Sequence, residues 1–358
     1  VQFKLNLLAI GKKINLRAMT LGLIPVAGLF TFWLTVNAAS LNIIQLKLPI
    51  LQGVSATAYF IFFCFVFASR RNHLSNKYFF IIHFFFFLFL LPYYSQSFLY
   101  YILLYFLASS LSYISYLAVL KKSEVKYLCS LFITSTILPI TLLIPEFLLC
   151  LFSIIFLFYV FRISQTNKLV KPFSFNDSRM LTLSFLCQLP IILYPILDSV
   201  LIRNLPVESY RVYALYLKFV LGLVIWLFNF TLTKLMFTHT NLNSNLIVCS
   251  LFLSLFATSF LWIFDNYLSL FLLVSFVSIT IGFTSYCVRV VIVNSKKLEQ
   301  QAVLSLISSL IYVLFLIFLY PSFANYPWIF LSVLNICLFL LNLPYLLRAL
   351  KKLGFINL

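Results

Sequence analysis

Long apolar runs, broken only by short groups of basic residues, occupy almost the whole of this 358-residue chain. A bilayer core takes about 20 apolar residues in a helix. Runs near that length fall at approximately 18–39, 47–68, 78–94, 98–119, 127–145, 147–161, 180–202, 210–237, 245–263, 266–288, 302–321 and 326–347. The expected class is an all-α membrane protein with about twelve transmembrane helices. Residues 127–161 form one apolar block, but Pro145 and Glu146 divide it, because proline disfavours helix at the residue before it. Composition removes the soluble alternative. The chain is 63% hydrophobic and 9% charged, against about 25% charged in soluble domains. Its polar side chains are too few to cover a soluble surface.

The formal net charge of +18 raises the question of nucleic acid. The distribution answers it. One topology collects every Lys and Arg on a single side except Lys47, Arg203, Arg211 and Lys218. Lys12, Lys13 and Arg17 precede the first span, and Arg70, Arg71 and Lys77 follow the second. Lys121, Lys122 and Lys126 follow the fourth, and Arg348, Lys351 and Lys352 follow the twelfth. This is the positive-inside asymmetry of a multi-pass protein with both termini cytoplasmic. No extramembrane domain remains to carry a base-reading element, so nucleic acid is excluded as a partner. The apolar stretch after the basic N-terminus is longer than a signal-peptide core and is read as an uncleaved first span. Reporter fusions after residues 170 and 355 are expected to signal from the cytoplasm. A periplasmic signal at either site removes this topology.

The longest loop, roughly 162–179, contains Pro172, Asn176 and Asp177, which suit a linker. It divides the chain into six-helix halves, 1–161 and 180–358. An internal echo supports a repeat. Ser115-Tyr116 precedes Lys121-Lys122-Ser123-Glu124 after span four, and Ser285-Tyr286 precedes Lys296-Lys297-Leu298-Glu299 after span ten. Transporters are often built from such halves.

Polar residues within spans are few, and ionisable ones are functional candidates by default. Arg211, Lys218, Gly222 and Asn229 in span eight fall within about 40° of one another at 100° per residue. Such a stripe should face protein or water rather than lipid. A lysine snorkelling to the outer interface is the alternative for Lys218. Span seven carries Ser184, Gln188, Pro195 and Asp198. The aspartate is either a cavity group or a helix-end charge. Span one carries Arg17, Gly28, Thr31 and Thr35, whose hydroxyls either line a cavity or bond to their own helix carbonyls. Ser109, Ser110, Ser112 and Ser115 in span four, with Ser275, Ser278, Thr280 and Thr284 in span ten, read as helix-packing surfaces. The seven cysteines form no CxxC pair and read as small apolar residues. His73, His83 and His239 show no ligand spacing, so no metal is expected. There is no phosphate-cradling glycine loop, and no cofactor is expected.

The stretch Leu189-Pro190-Ile191-Ile192-Leu193-Tyr194-Pro195-Ile196-Leu197-Asp198-Ser199, followed by Pro206-Val207-Glu208-Ser209-Tyr210 and Tyr213-Ala214-Leu215-Tyr216, resembles the second-half entry of bacterial polysaccharide flippases. Asp198, Glu208 and Tyr210 match that family's pattern of a span-ending aspartate, an acidic short loop and a tyrosine opening the next helix. The basic N-terminus, one long helix and Gly53 through Tyr59 resemble its start. The resemblance implies a fold like that of the multidrug, oligosaccharidyl-lipid and polysaccharide exporters. It implies transport of an undecaprenyl-pyrophosphate-linked oligosaccharide, such as an O-antigen unit, across the bacterial inner membrane. The partners implied are that substrate, membrane lipid, a polysaccharide polymerase and a chain-length regulator. Arg17, Lys47, Lys218 and Arg211 would attract the pyrophosphate. Asn229, Gln188, Thr31 and Thr35 would bond to sugar, with Asp198 among the cavity candidates. No catalytic residue is expected. A membrane polysaccharide polymerase or ligase is equally hydrophobic, but usually carries a long outer loop with Arg or His. No outer loop here exceeds about ten residues. A small-solute or multidrug exporter of the same fold is the third reading.

Overall fold

The computed structural model describes residues 27–28, 30–69, 76–121, 123–166, 178–189, 193 and 298–323. All of its regular structure there is helical. Helix α1 covers 30–38 within span one, α2 is Leu41–Ser69, α3 is Asn76–Leu90, α4 is Phe98–Leu120, α5 is Glu124–Ile140 and α6 is Glu146–Thr166. Helix α7 covers 178–189 and α8 is Leu298–Phe323. The expected spans at 210–237, 245–263, 266–288 and 326–347 lie outside the described residues, as do most of 180–202 and the start of 18–39.

Three continuous helical stretches are long and apolar enough to cross a membrane: Leu41–Val66 with 26 residues, Tyr78–Leu120 with 43, and Glu146–Ile163 with 18. The second is too long for one crossing. As a straight helix it would measure about 65 Å, twice a hydrocarbon core of about 30 Å. It folds back on itself instead. The rings of Phe87 and Tyr101 lie 5.3 Å apart, and those of Phe79 and Tyr116 lie 5.4 Å apart. In a straight helix Phe79 and Tyr116 would be about 55 Å apart. The reversal is the 3₁₀ segment Leu91–Ser97, where Pro92 removes a donor and Tyr94 takes non-helical angles of φ −117° and ψ 20°. Helix α3 therefore ends at Leu90, four residues before the expected end of span three at residue 94.

The other joints follow the same local logic. Helix α5 ends at Ile140, and a turn through Thr141–Ile144 brings the chain to Pro145. The carbonyl of Pro145 then accepts the amides of Leu148 and Leu149, which opens α6. The division expected at Pro145–Glu146 is present. At the first joint the expectation was a short loop before residue 47. The chain breaks only at Ala39–Ser40, and α2 starts at Leu41.

Helix α4 is the hub and packs against α2, α5 and α6. Its serines and alanines allow close approach. The starts of α2, α4 and α6 lie at one end of the bundle, since Lys47 Nζ sits 4.7 Å from the Tyr100 ring and 3.8 Å from Glu146 Oε1. Ring contacts of Phe62 with Tyr127 and Phe65 with Tyr116 mark the opposite end. The exposed cations Lys121, Lys126 and Arg162 belong to that second end. Among the described residues these three cations share one end of the bundle, away from Lys47.

Helices α7 and α8 run parallel. Arg179 pairs with Glu299 near their starts, and further along the Ser305 hydroxyl donates to the Cys187 carbonyl at 3.2 Å. Helix α7 docks on the first bundle through Phe185, 5.1 Å from Phe60 and 6.2 Å from Phe86.

The surface is inverted relative to a water-soluble fold. Phe85, Phe147, Phe158 and Phe318 are 65%, 70%, 69% and 72% exposed, while serines and threonines are buried. Contiguous apolar surface of this kind belongs against lipid. The helices, their length and this inversion are consistent with a membrane protein.

Candidate functional site

The inward face of α4 builds a polar seam. Ser109, Ser110, Ser112 and Ser115 are all buried. Ser112 donates to the Ser109 carbonyl at 2.8 Å, and Ser115 Oγ approaches Ser130 Oγ of α5 at 2.9 Å. Ser130 Oγ in turn donates to the Tyr127 carbonyl at 2.7 Å, and Thr134 donates to the Ser130 carbonyl at 2.7 Å. The expected reading of these serines as a packing surface holds for span four. The corresponding hydroxyls of span ten lie outside the described residues. Between α2, α4 and α5 the packing leaves a cavity of about 10 Å³, lined on its polar side by Ser55, Tyr59, Ser112, Ser115 and Thr134. That is room for about one water.

His83 of α3 joins this seam. It is 3% exposed, with Ser112 Oγ 3.3 Å from Nε2 and Tyr105 Oη 3.4 Å from Nδ1. In the sequence the three histidines show no metal-ligand spacing, and nothing there sets His83 apart from the other two. Its company was not readable either, because Tyr105 and Ser112 are 22 and 29 residues away in the chain. Among the described residues no group of three His, Cys, Asp or Glu is placed to hold a metal.

A second polar seam lies where α7 meets α2 and α8. Ser184 and Gln188, four residues apart on one face of α7, are 2% and 1% exposed. Cys64 Sγ of α2 donates to the Ser184 carbonyl at 3.7 Å. Ser305, Ser308 and Ser309 of α8 are buried. The hydroxyl of Ser184 and the Oε1 of Gln188 have no hydrogen-bond partner among the described residues. An unpaired buried acceptor costs about 1–3 kcal/mol, so natural proteins rarely keep one without a use.

The remaining site candidates sort as follows. Lys47 is 21% exposed and already engaged by Glu146 and the Tyr100 ring. Tyr100 is itself tied by its hydroxyl to Thr141 Oγ1 at 3.1 Å. Thr31 donates to the Ala27 carbonyl at 2.8 Å, and Thr35 donates to the Thr31 carbonyl at 2.7 Å. Their protons are therefore spent on backbone carbonyls four residues earlier, which is the second of the two readings open from the sequence. Gly28 approaches Ser135 of α5 so closely that a Cβ there would lie 1.9 Å from Ser135 Oγ. Arg17, Asp198, Arg211, Lys218 and Asn229 lie outside the described residues. Of the described cysteines, Cys64 and Cys187 are buried, Cys150 is half-buried and Cys129 is exposed. No family model, no curated protein and no solved structure matches the chain.

Proposed function

We propose that the chain is an inner-membrane flippase for a lipid-linked oligosaccharide, working by alternating access between two six-helix halves. The observation that carries this reading is Gln188. A buried amide oxygen without a partner, one helical turn from the unpaired Ser184 hydroxyl, suits a face that meets a polyhydroxylated ligand. Sugars bring many donors, and adaptable amide and hydroxyl groups answer them. The basic and polar stripe expected in span eight, Lys218 above all, would receive the pyrophosphate. The lipid tail would stay in the bilayer while the halves rock about the site. The halves 1–161 and 180–358 would then be related by a pseudo-twofold axis along the membrane normal.

The test separates function from folding. Gln188→Leu fills the same volume and removes the unpaired acceptor. It is expected to leave thermal stability unchanged or to raise it by about 1–3 kcal/mol, while cutting surface polysaccharide several-fold. Lys218→Ala is expected to lower surface polysaccharide at normal protein level, with Lys218→Arg better tolerated, since charge is what that position supplies. Full polysaccharide display in both Gln188→Leu and Lys218→Ala would overturn the proposal.

A further inference from the structure

Helix α7 is held to α8 by polar contacts. Arg179 pairs with Glu299, and the Ser305 hydroxyl donates to the Cys187 carbonyl at 3.2 Å. Its contacts with the first bundle are of another kind. Leu181, Phe185 and Leu189 form one row along α7 and pack on the aromatic cluster around Phe60 and Phe65. Phe185 meets Phe60 edge-on at 5.1 Å and stacks on Phe86 at 6.2 Å. Across the same contact the Cys64 thiol donates to the Ser184 carbonyl at 3.7 Å, and a thiol is a weak donor. Among the described residues no ion pair joins α2 to α7. Cys64 lies near the end of α2 at Ser69, and Ser184 lies near the start of α7. The contact therefore sits at the end of the bundle that carries Lys121, Lys126 and Arg162.

Ser184 and Gln188 form the next row of α7, between the side on α2 and the side on α8. Gln188 lies about 60° around the helix from Phe185. A buried serine can turn its hydroxyl to a carbonyl of its own helix, as Ser115 and Ser309 do. The Gln188 Oε1 has no such recourse. It only accepts, and the amides inside a helix are already spent. Gln52 of α2 also has both amide atoms buried and unpaired. Each of the two helices that meet here thus keeps a buried amide without a hydrogen-bond partner among the described residues. Unpaired buried groups raise the energy of the closed arrangement, and contact with water or with a hydroxylated ligand removes that cost. Apolar contacts hold the seam shut, and unpaired amides work against them. Together they narrow the gap between a closed and an open arrangement.

We propose that α2 and α7 form a gate: their seam parts at this end of the bundle, α7 moving with α8, and opens Ser184 and Gln188 to water. The opening stands on these contacts; the passage of an oligosaccharide through it rests on the flippase reading. The test is thiol labelling of the full chain in lipid nanodiscs, with the seven native cysteines replaced by alanine. Ser184→Cys and Gln188→Cys are each treated with a charged, water-soluble thiosulfonate. Ile155→Cys, on the apolar outer side of α6, is the control expected to stay inert. Both seam positions are expected to react. Phe185→Leu removes the ring contacts across the seam and is expected to raise both rates about two- to tenfold, the shift that one aromatic pair accounts for. Phe60→Leu should do the same from the other side. Inert thiols at 184 and 188 in folded protein overturn the proposal. Rates that neither Phe185→Leu nor Phe60→Leu changes also overturn it, since the reagent then enters by another route. In cells, a bifunctional thiosulfonate that joins Cys64 to the thiol of Ser184→Cys, the other native cysteines being replaced, is expected to stop surface polysaccharide display. If labelling behaves as expected but the cross-linked protein still displays polysaccharide, the gate stands and its link to transport falls.

Discussion

Tyr101→Ala is expected to destabilise the described bundle by about 3–5 kcal/mol, the range for removing a large buried aromatic. Tyr101 is fully buried at the closed end of the α3–α4 hairpin. Its ring stacks on Phe87 at 5.3 Å and touches Tyr94 at 5.5 Å and Tyr105 at 5.9 Å. Its hydroxyl donates to the Phe87 carbonyl at 2.7 Å. The penalty arises from packing. Lipid is as apolar as the side chain, so helix association in a membrane depends on close contact and hydrogen bonds. Tyr101→Phe separates the two parts, since it keeps the stack and loses only the hydrogen bond, about 0.5–1.5 kcal/mol. Unfolding in bicelles against added SDS reads both. Equal losses for the two variants would mean that the ring stack contributes nothing.

Gly53→Leu is expected to be the second most damaging substitution, at the upper end of the roughly 1–3 kcal/mol typical of overpacking. A Cβ at Gly53 would lie 2.0 Å from Tyr94 Oη and 3.0 Å from Cζ. Tyr94 belongs to the 3₁₀ reversal and leans on Tyr101, so its ring cannot retreat without disturbing the hairpin. Glycine is needed here for the space, and its conformational freedom is not at issue in a helix. Gly53→Ala should show the milder form of the same clash. Tyr94→Phe removes the nearest atom, so Gly53→Ala combined with Tyr94→Phe should cost less than the sum of the two single changes. Additive losses would show that α2 does not press on Tyr94.

The candidate site was readable in the sequence to different depths. Ser184 and Gln188 share a face because they are four residues apart, and that spacing is local. Both are buried, and the other two residues of the stripe, Pro195 and Asp198, lie outside the described residues. The serines of α4 announced a packing face by composition. Lys47 was legible as an outer cation but not as an engaged one. Its partners Tyr100 and Glu146 come from two other helices, and no sequence period relates them to it. The pairing keeps Lys47 inside helix α2, which begins at Leu41. An amphipathic lysine stem can remain in a helix when its charge has a carboxylate and a ring to meet.

The sequence alone determined that the described residues are helical and apolar enough for a membrane, and that the chain divides at Pro145. Span length, hydropathy and proline are properties of neighbouring residues, so they survive without knowledge of the fold. The tertiary structure alone decided that the reversal between spans three and four is the 3₁₀ segment Leu91–Ser97 and that aromatic stacking closes the hairpin. It also decided that His83 meets Ser112 beside a water-sized cavity, and that Gln188 is buried with an unpaired oxygen. Those facts depend on which faces of distant helices meet. In a membrane, close packing makes that choice, and apolarity cannot, because every outward face is apolar alike.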